Sequence, residues 1–130
     1  MLDVFGKYVF KPQNIAVQMG SRCVINCRLA KLLSNESGLR WTYRSPETTV
    51  DKLIYNGYNV DKVYQKGFSV EGFTQDSRNL VISSTEMSDA GQYSAEFPGT
   101  LDKASAELIV IGEYSWHSIY FIVTYFEIVS

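Results

Sequence analysis

Residues 79–97 read NLVISSTEMSDAGQYSAEF. Asn79–Ser83 is a short strand pattern with Leu80 and Ile82 on one face. Gln92–Phe97 alternates in the same way, with Tyr93 and Ala95 on the inward side. A side-chain period of two belongs to half-buried strands, and the helical period is missing. The polar link Ser84–Gly91 therefore joins two strands rather than extending one helix. Downstream, Phe97-Pro98-Gly99-Thr100 is a tight turn and Ala104–Ile111 (ASAELIVI) is a further strand.

The same rhythm runs back toward the start of the chain. Asn14–Gln18 is a short strand followed by the turn Met19-Gly20-Ser21. In Arg22–Leu29, Cys23, Ile25, Cys27 and Leu29 make one apolar face, with Arg22, Asn26 and Arg28 opposite and Val24 the exception. Ser34–Gly38 is a loop. Leu39–Arg44 turns Leu39, Trp41 and Tyr43 inward, and Lys52–Tyr55 ends in Asn56-Gly57, a hairpin signal because both residues tolerate positive φ. Phe68–Gly72 is another short strand. Eight or nine strands in about 100 residues are expected to form an all-β, two-sheet antiparallel sandwich.

The whole chain of 130 residues fits one domain, and its 45% hydrophobic content is enough to fill a core. Twelve Lys+Arg against 14 Asp+Glu give a net charge of −2, which provides no long-range attraction for phosphate backbones; no nucleic-acid partner is expected. Two cysteines and one histidine are too few for a protein zinc site. Met1–Phe10 carries Asp3 and Lys7 where a signal peptide needs an apolar run. Tyr114–Ser130 (YSWHSIYFIVTYFEIVS) is rich in aromatic and β-branched residues, but its uninterrupted apolar part, Ile119–Phe126, is far short of the roughly 20 residues of a membrane span. Any membrane attachment would have to come from segments outside this sequence. The expected division is a domain over residues 1–112 and a hydrophobic tail over 113–130, which has no strand slot to fill.

Three anchors, in order and at the right spacing, resemble an immunoglobulin-like domain, and its V type in particular. Gly20-Ser21-x-x-x-Ile25-x-Cys27 resembles the B strand with the first core cysteine, and Trp41 follows fourteen residues later, where the family's buried C-strand tryptophan belongs. Leu80-x-Ile82 and then Asp89-Ala90-Gly91-Gln92-Tyr93 resemble the E strand and the tyrosine corner. In that corner the Asp89 carboxylate can cap backbone donors, Gly91 supplies an unusual φ, and the buried Tyr93 hydroxyl must bond back to the main chain. Thirty-eight residues between Trp41 and Leu80 leave room for C′, C″ and D strands, which is the basis for the V type. The family's second core cysteine is replaced by Ala95. Cys23 cannot stand in for it, because four residues along one strand place the two Cα atoms roughly 13 Å apart, and a bridge needs less than about 7 Å. Both thiols are expected to be buried and reduced, with Cys27 packed on Trp41 opposite Ala95.

No catalytic constellation can be assembled, and none is expected. His117, the only histidine, lies in the tail, so neither a Ser–His nor a Cys–His pair has a base within the domain. Carboxylates such as Asp61 and Glu71 are spread over loops, and no glycine-rich phosphate loop is present. No cofactor is implied. Asn35-Glu36-Ser37 is an N-glycosylation sequon, which points to an extracellular or cell-surface location.

The resemblance implies a protein ligand, bound through the outward face of the C, C′, F and G strands or the adjoining loops. The candidate residues there are Arg40, Thr42 and Arg44 on C, Ser94 and Glu96 on F, and Tyr55 and Tyr58 near the end of C′. The Asp-x-Gly-x-Tyr-x-Ala-Glu run of residues 89–96 is also similar to the N-terminal domains of lymphocyte adhesion and signalling receptors, although these usually lack the cysteine kept here at position 27. The expected function is thus immune-type recognition or adhesion. The alternative is an intracellular structural module resembling the immunoglobulin domains of giant muscle proteins, where reducing conditions make a missing disulfide ordinary.

Overall fold

The computed structural model describes residues 8–31, 38–98, 100, 102–112 and 123–127. Asn35, Gly99 and His117 lie outside these residues, so the expectations attached to them, the sequon included, are not addressed by the fold. The described chain is an all-β protein, with sheets that are almost wholly antiparallel.

Ten strands follow one another: β1 (Tyr8–Phe10), β2 (Ile15–Gln18), β3 (Cys23–Ile25), β4 (Arg28–Leu29), β5 (Arg40–Arg44), β6 (Lys52–Tyr55), β7 (Phe68–Glu71), β8 (Asn79–Ile82), β9 (Gly91–Glu96) and β10 (Lys103–Ile111). They form a five-stranded sheet ordered β2-β10-β9-β5-β6, a three-stranded sheet ordered β3-β8-β7, and a β1-β4 pair. The one parallel pairing is β10 on β2, from Leu108 opposite Ile15 to Ile111 opposite Gln18.

One core joins the sheets. Cys23, Ile25, Leu80 and Ile82 from the three-stranded sheet are buried together with Trp41, Ile54, Tyr93, Ala95, Ala106 and Leu108 from the five-stranded sheet. The alternating face Cys23, Ile25, Cys27, Leu29 is buried along its whole length, although the ladder itself is interrupted between β3 and β4. At that interruption Cys27 exchanges its hydrogen bonds with the opposite strand: its N–H donates to the Asn79 side-chain oxygen at 2.9 Å, and its carbonyl accepts from Arg78 N at 2.8 Å. No backbone polar group of Cys27 is therefore left bare in the core.

Two local features differ from the sequence expectation. Between β6 and β7 a single turn of 3-10 helix, Lys62–Tyr64, stands where a C″ strand was expected, and only an isolated bridge joins Tyr55 to Val60. Asp61 is the reason: its carboxylate accepts from Val63 N at 3.1 Å and caps the turn, a local alternative to ladder hydrogen bonds. The second feature is a register shift between Trp41 and Thr42 in the β5–β6 pairing. It puts Tyr55 opposite Trp41 but Leu53 opposite Thr42. A bulge of this kind breaks strict alternation, so Ile54 and Tyr55 are both buried.

Candidate partner-binding face

The link between β8 and β9 fixes how β9 enters the five-stranded sheet. Met87–Asp89 is a short 3-10 turn closed by a reciprocal cap, in which Asp89 Oδ2 accepts from Glu86 N at 2.8 Å. The Tyr93 hydroxyl donates back to Asp89 O at 2.6 Å, so the ring is buried with its polar tip satisfied. Tyr43, directly opposite Tyr93, donates its own hydroxyl to Ala90 O at 2.7 Å, and the two rings pack with centroids 4.9 Å apart, tilted by 40°. Gly91 has φ 146°, and a Cβ there would lie 2.5 Å from Arg44 O. Glycine is thus required where β9 begins to pair with β5.

The next layer is sealed by Trp41. Its indole N–H donates to Arg78 O at 2.9 Å, tying the five-stranded sheet to the strand entering β8. Trp41 is opposite Ala95, and both are fully buried, as is Cys27. Tyr8 was not singled out by sequence reasoning; its hydroxyl donates to Ala95 O at 3.2 Å and its ring meets Phe97 at 5.5 Å. The Tyr8-Val9-Phe10 triplet was the available signal, an apolar run just before the first turn.

Cys23 and Cys27 are both free thiols. Burial pushes the Cys23 thiol up to about 11, with the Asp89 carboxylate adding to the effect. It pushes Cys27 up to about 12, partly countered by Arg78. A thiol that ionises so late is a poor nucleophile near neutrality. The folded protein is therefore expected to leave both thiols unlabelled by a maleimide at pH 7.5, with two labels appearing in denaturant. Because both folded values are raised, the stabilising effect is present below the ordinary thiol range and is lost as pH rises from about 9 toward 12. Urea titrations at pH 7.5 and 10 should show the lower midpoint at pH 10. Rapid labelling of the native state would contradict the burial.

The outward face is built by register. Arg40 is opposite Glu96, Thr42 opposite Ser94 and Arg44 opposite Gln92; on the far side of β9, Ser94 faces Ser105 and Glu96 faces Lys103. Arg40 meets Glu96 at 2.6 Å. Arg44 Nε meets Asp51 Oδ1 at 2.8 Å, and Lys103 Nζ meets the other oxygen of the same carboxylate at 3.2 Å. The Arg44 hydrogen bond, followed by Lys103, holds the Asp51 carboxyl below its usual range despite some desolvation. Ser94 and Ser105 share a 2.7 Å hydroxyl bond between these ion pairs. Partly exposed pairs of this kind contribute well under about 1 kcal/mol each to stability; their effect is to fix charged groups in a pattern.

Of the candidate contact residues, Arg40, Arg44 and Glu96 come together on this face, joined by Asp51 and Lys103, which the sequence did not single out. Tyr58 is 80% exposed and stands on a loop whose backbone is pinned by Asn56, the side chain of which accepts from Tyr58 N and Asn59 N. Thr42 and Ser94 lie on the face but are 7% and 3% exposed. Tyr55 offers no surface: the β5–β6 register shift turns it into the core at 3% exposure.

Asp61 and Glu71 are engaged structurally, Asp61 as the cap described above and Glu71 in a 3.0 Å pair with Arg22. Among the described residues no group of three His, Cys, Asp or Glu could hold a metal ion. No helix among them is long and apolar enough to cross a membrane. No known protein-family model matches the chain.

Proposed function

We propose that this chain is an immunoglobulin-like domain of the V type, a cell-surface or secreted recognition module without enzymatic activity. Its protein partner would engage the outward face of β5, β6, β9 and β10. The observation that carries the reading is the joint placement of three anchors around one core: the Trp41 indole on Arg78 O, the Tyr93 hydroxyl on Asp89 O, and Cys27 and Ala95 buried with them. Each anchor is a local solution to burying a polar atom, and their co-occurrence at the family's spacing supports kinship with that fold. The arrangement of the face supports the binding role. Arginine and tyrosine are over-represented among interface hot spots, and Arg40, Arg44 and Tyr58 are already positioned by fixed partners.

The two buried free thiols favour a second reading, an intracellular structural module in a reducing compartment. Expression in a secretory cell with the native flanking sequence separates the two. The recognition reading expects exported protein glycosylated at Asn35 and saturable binding of that protein to at least one member of an array of cell-surface ectodomains. Cytosolic, unglycosylated protein that binds none of them would overturn it.

A further inference from the structure

The described part of the tail, Val123–Glu127, is a short helix placed on the same sheet face. Tyr125, partly buried, lines a cleft of about 230 Å³ together with Asn14, Gln92, Ser105, Ala106 and Glu107. Gln92 and Glu107 pair across β9 and β10, and Gln92 is also opposite Arg44. The cleft therefore adjoins the Arg44 end of the face, where Arg44 pairs with Asp51. Burial at this spot, with the Glu107 carboxylate nearby, also raises the Tyr125 phenol above its ordinary range.

We propose that residues 123–127 act as a built-in cap, docked through Tyr125 on the Gln92–Ser105–Glu107 end of the sheet, so that a partner using the whole face has to displace them. The occupant is this chain's own segment. Tyr125 and Phe126 are both partly buried, with rings 5.6 Å apart, and this aromatic surface gains from lying on the sheet instead of in water. The regulatory consequence rests on the recognition reading above; the docking itself does not.

The test uses the full chain and a short bismaleimide. In the double variant Gln92→Cys/Tyr125→Cys the two introduced thiols flank the cleft, while Cys23 and Cys27 are buried. No Lys or Arg lies between 79 and 102 or after 103, so trypsin yields fragments 79–103 and 104–130, which stay joined only if the cross-link forms. The control is Ser69→Cys/Tyr125→Cys, since Ser69 is exposed on β7 of the three-stranded sheet. The expected result is a monomeric cross-link at least tenfold more abundant in the Gln92 variant than in the control. Equal yields, or no intramolecular product in either variant, would overturn the cap. If the cross-link forms but charge changes at Arg40 leave partner binding intact, the cap stands and the recognition reading of the face fails.

Discussion

Ala95→Cys is expected to form a disulfide with Cys27 and to stabilise the protein by about 2–4 kcal/mol. Both positions are fully buried in one core, and the bridge would close a long loop of chain, the case in which a cross-link restricts the unfolded state most. The neighbours accommodate the change. Tyr8 holds the Ala95 carbonyl, which a side-chain substitution leaves in place, and Cys27's own backbone bonds to Asn79 and Arg78 do not involve its sulfur. Under oxidising conditions, thiol counting by mass spectrometry should find one free thiol among the three cysteines, and the melting temperature should rise by roughly 10 °C. Two or more free thiols with an unchanged melting temperature would show that residues 27 and 95 do not face each other as the proposed fold requires.

Trp41→Ala should produce the largest loss, about 3–5 kcal/mol, from the emptied ring volume alone. The substitution also leaves Arg78 O without the indole N–H that bridges the two sheets. Since a domain of this size has a total stability on the order of 5–15 kcal/mol, much of the variant is expected to be unfolded at 37 °C. Trp41→Phe refills part of the volume but not the hydrogen bond, so its smaller loss combines the remaining void with the missing bridge. Urea unfolding followed by far-UV circular dichroism measures both. A loss under about 1 kcal/mol for Trp41→Ala would mean that the layer around Trp41, Ala95 and Cys27 is not the centre of the core.

Strands and core were legible because a side-chain period of two leaves a mark in composition. Cys23, Ile25, Cys27 and Leu29 could be assigned to one buried face without any knowledge of their partners, and they are buried. Residues 89–93 were legible for a different reason: a capped turn, a glycine of unusual φ and a tyrosine with a main-chain partner are local chemistry. Tyr55 was not legible. Alternation puts it beside Leu53, and only the register shift against Trp41 and Thr42, a property of the pairing, sends it inward. The missing C″ strand failed in a similar way, because thirty-eight residues allow a strand without requiring one, and the Asp61 cap decided the matter locally. Asp51 was invisible as a site residue because Arg44 and Lys103 reach it from strands 59 positions apart in sequence. Contacts across the face of a sheet depend on strand order, which no single stretch of sequence encodes.

The most direct measurement of the recognition claim compares two charge reversals on whichever ectodomain the wild-type chain binds. Arg40→Glu reverses a charge on the β5–β9 face, where it is paired with Glu96, whereas Arg22→Glu reverses one paired with Glu71 of the three-stranded sheet. Both pairs are exposed enough that neither change should unfold the protein. Surface plasmon resonance should give a Kd at least tenfold weaker for Arg40→Glu and within about twofold of wild type for Arg22→Glu, on the scale expected when one hot-spot arginine is lost. Equal affinities for wild type and Arg40→Glu, or a loss confined to Arg22→Glu, would contradict the assignment of the β5–β6–β9–β10 face as the partner surface.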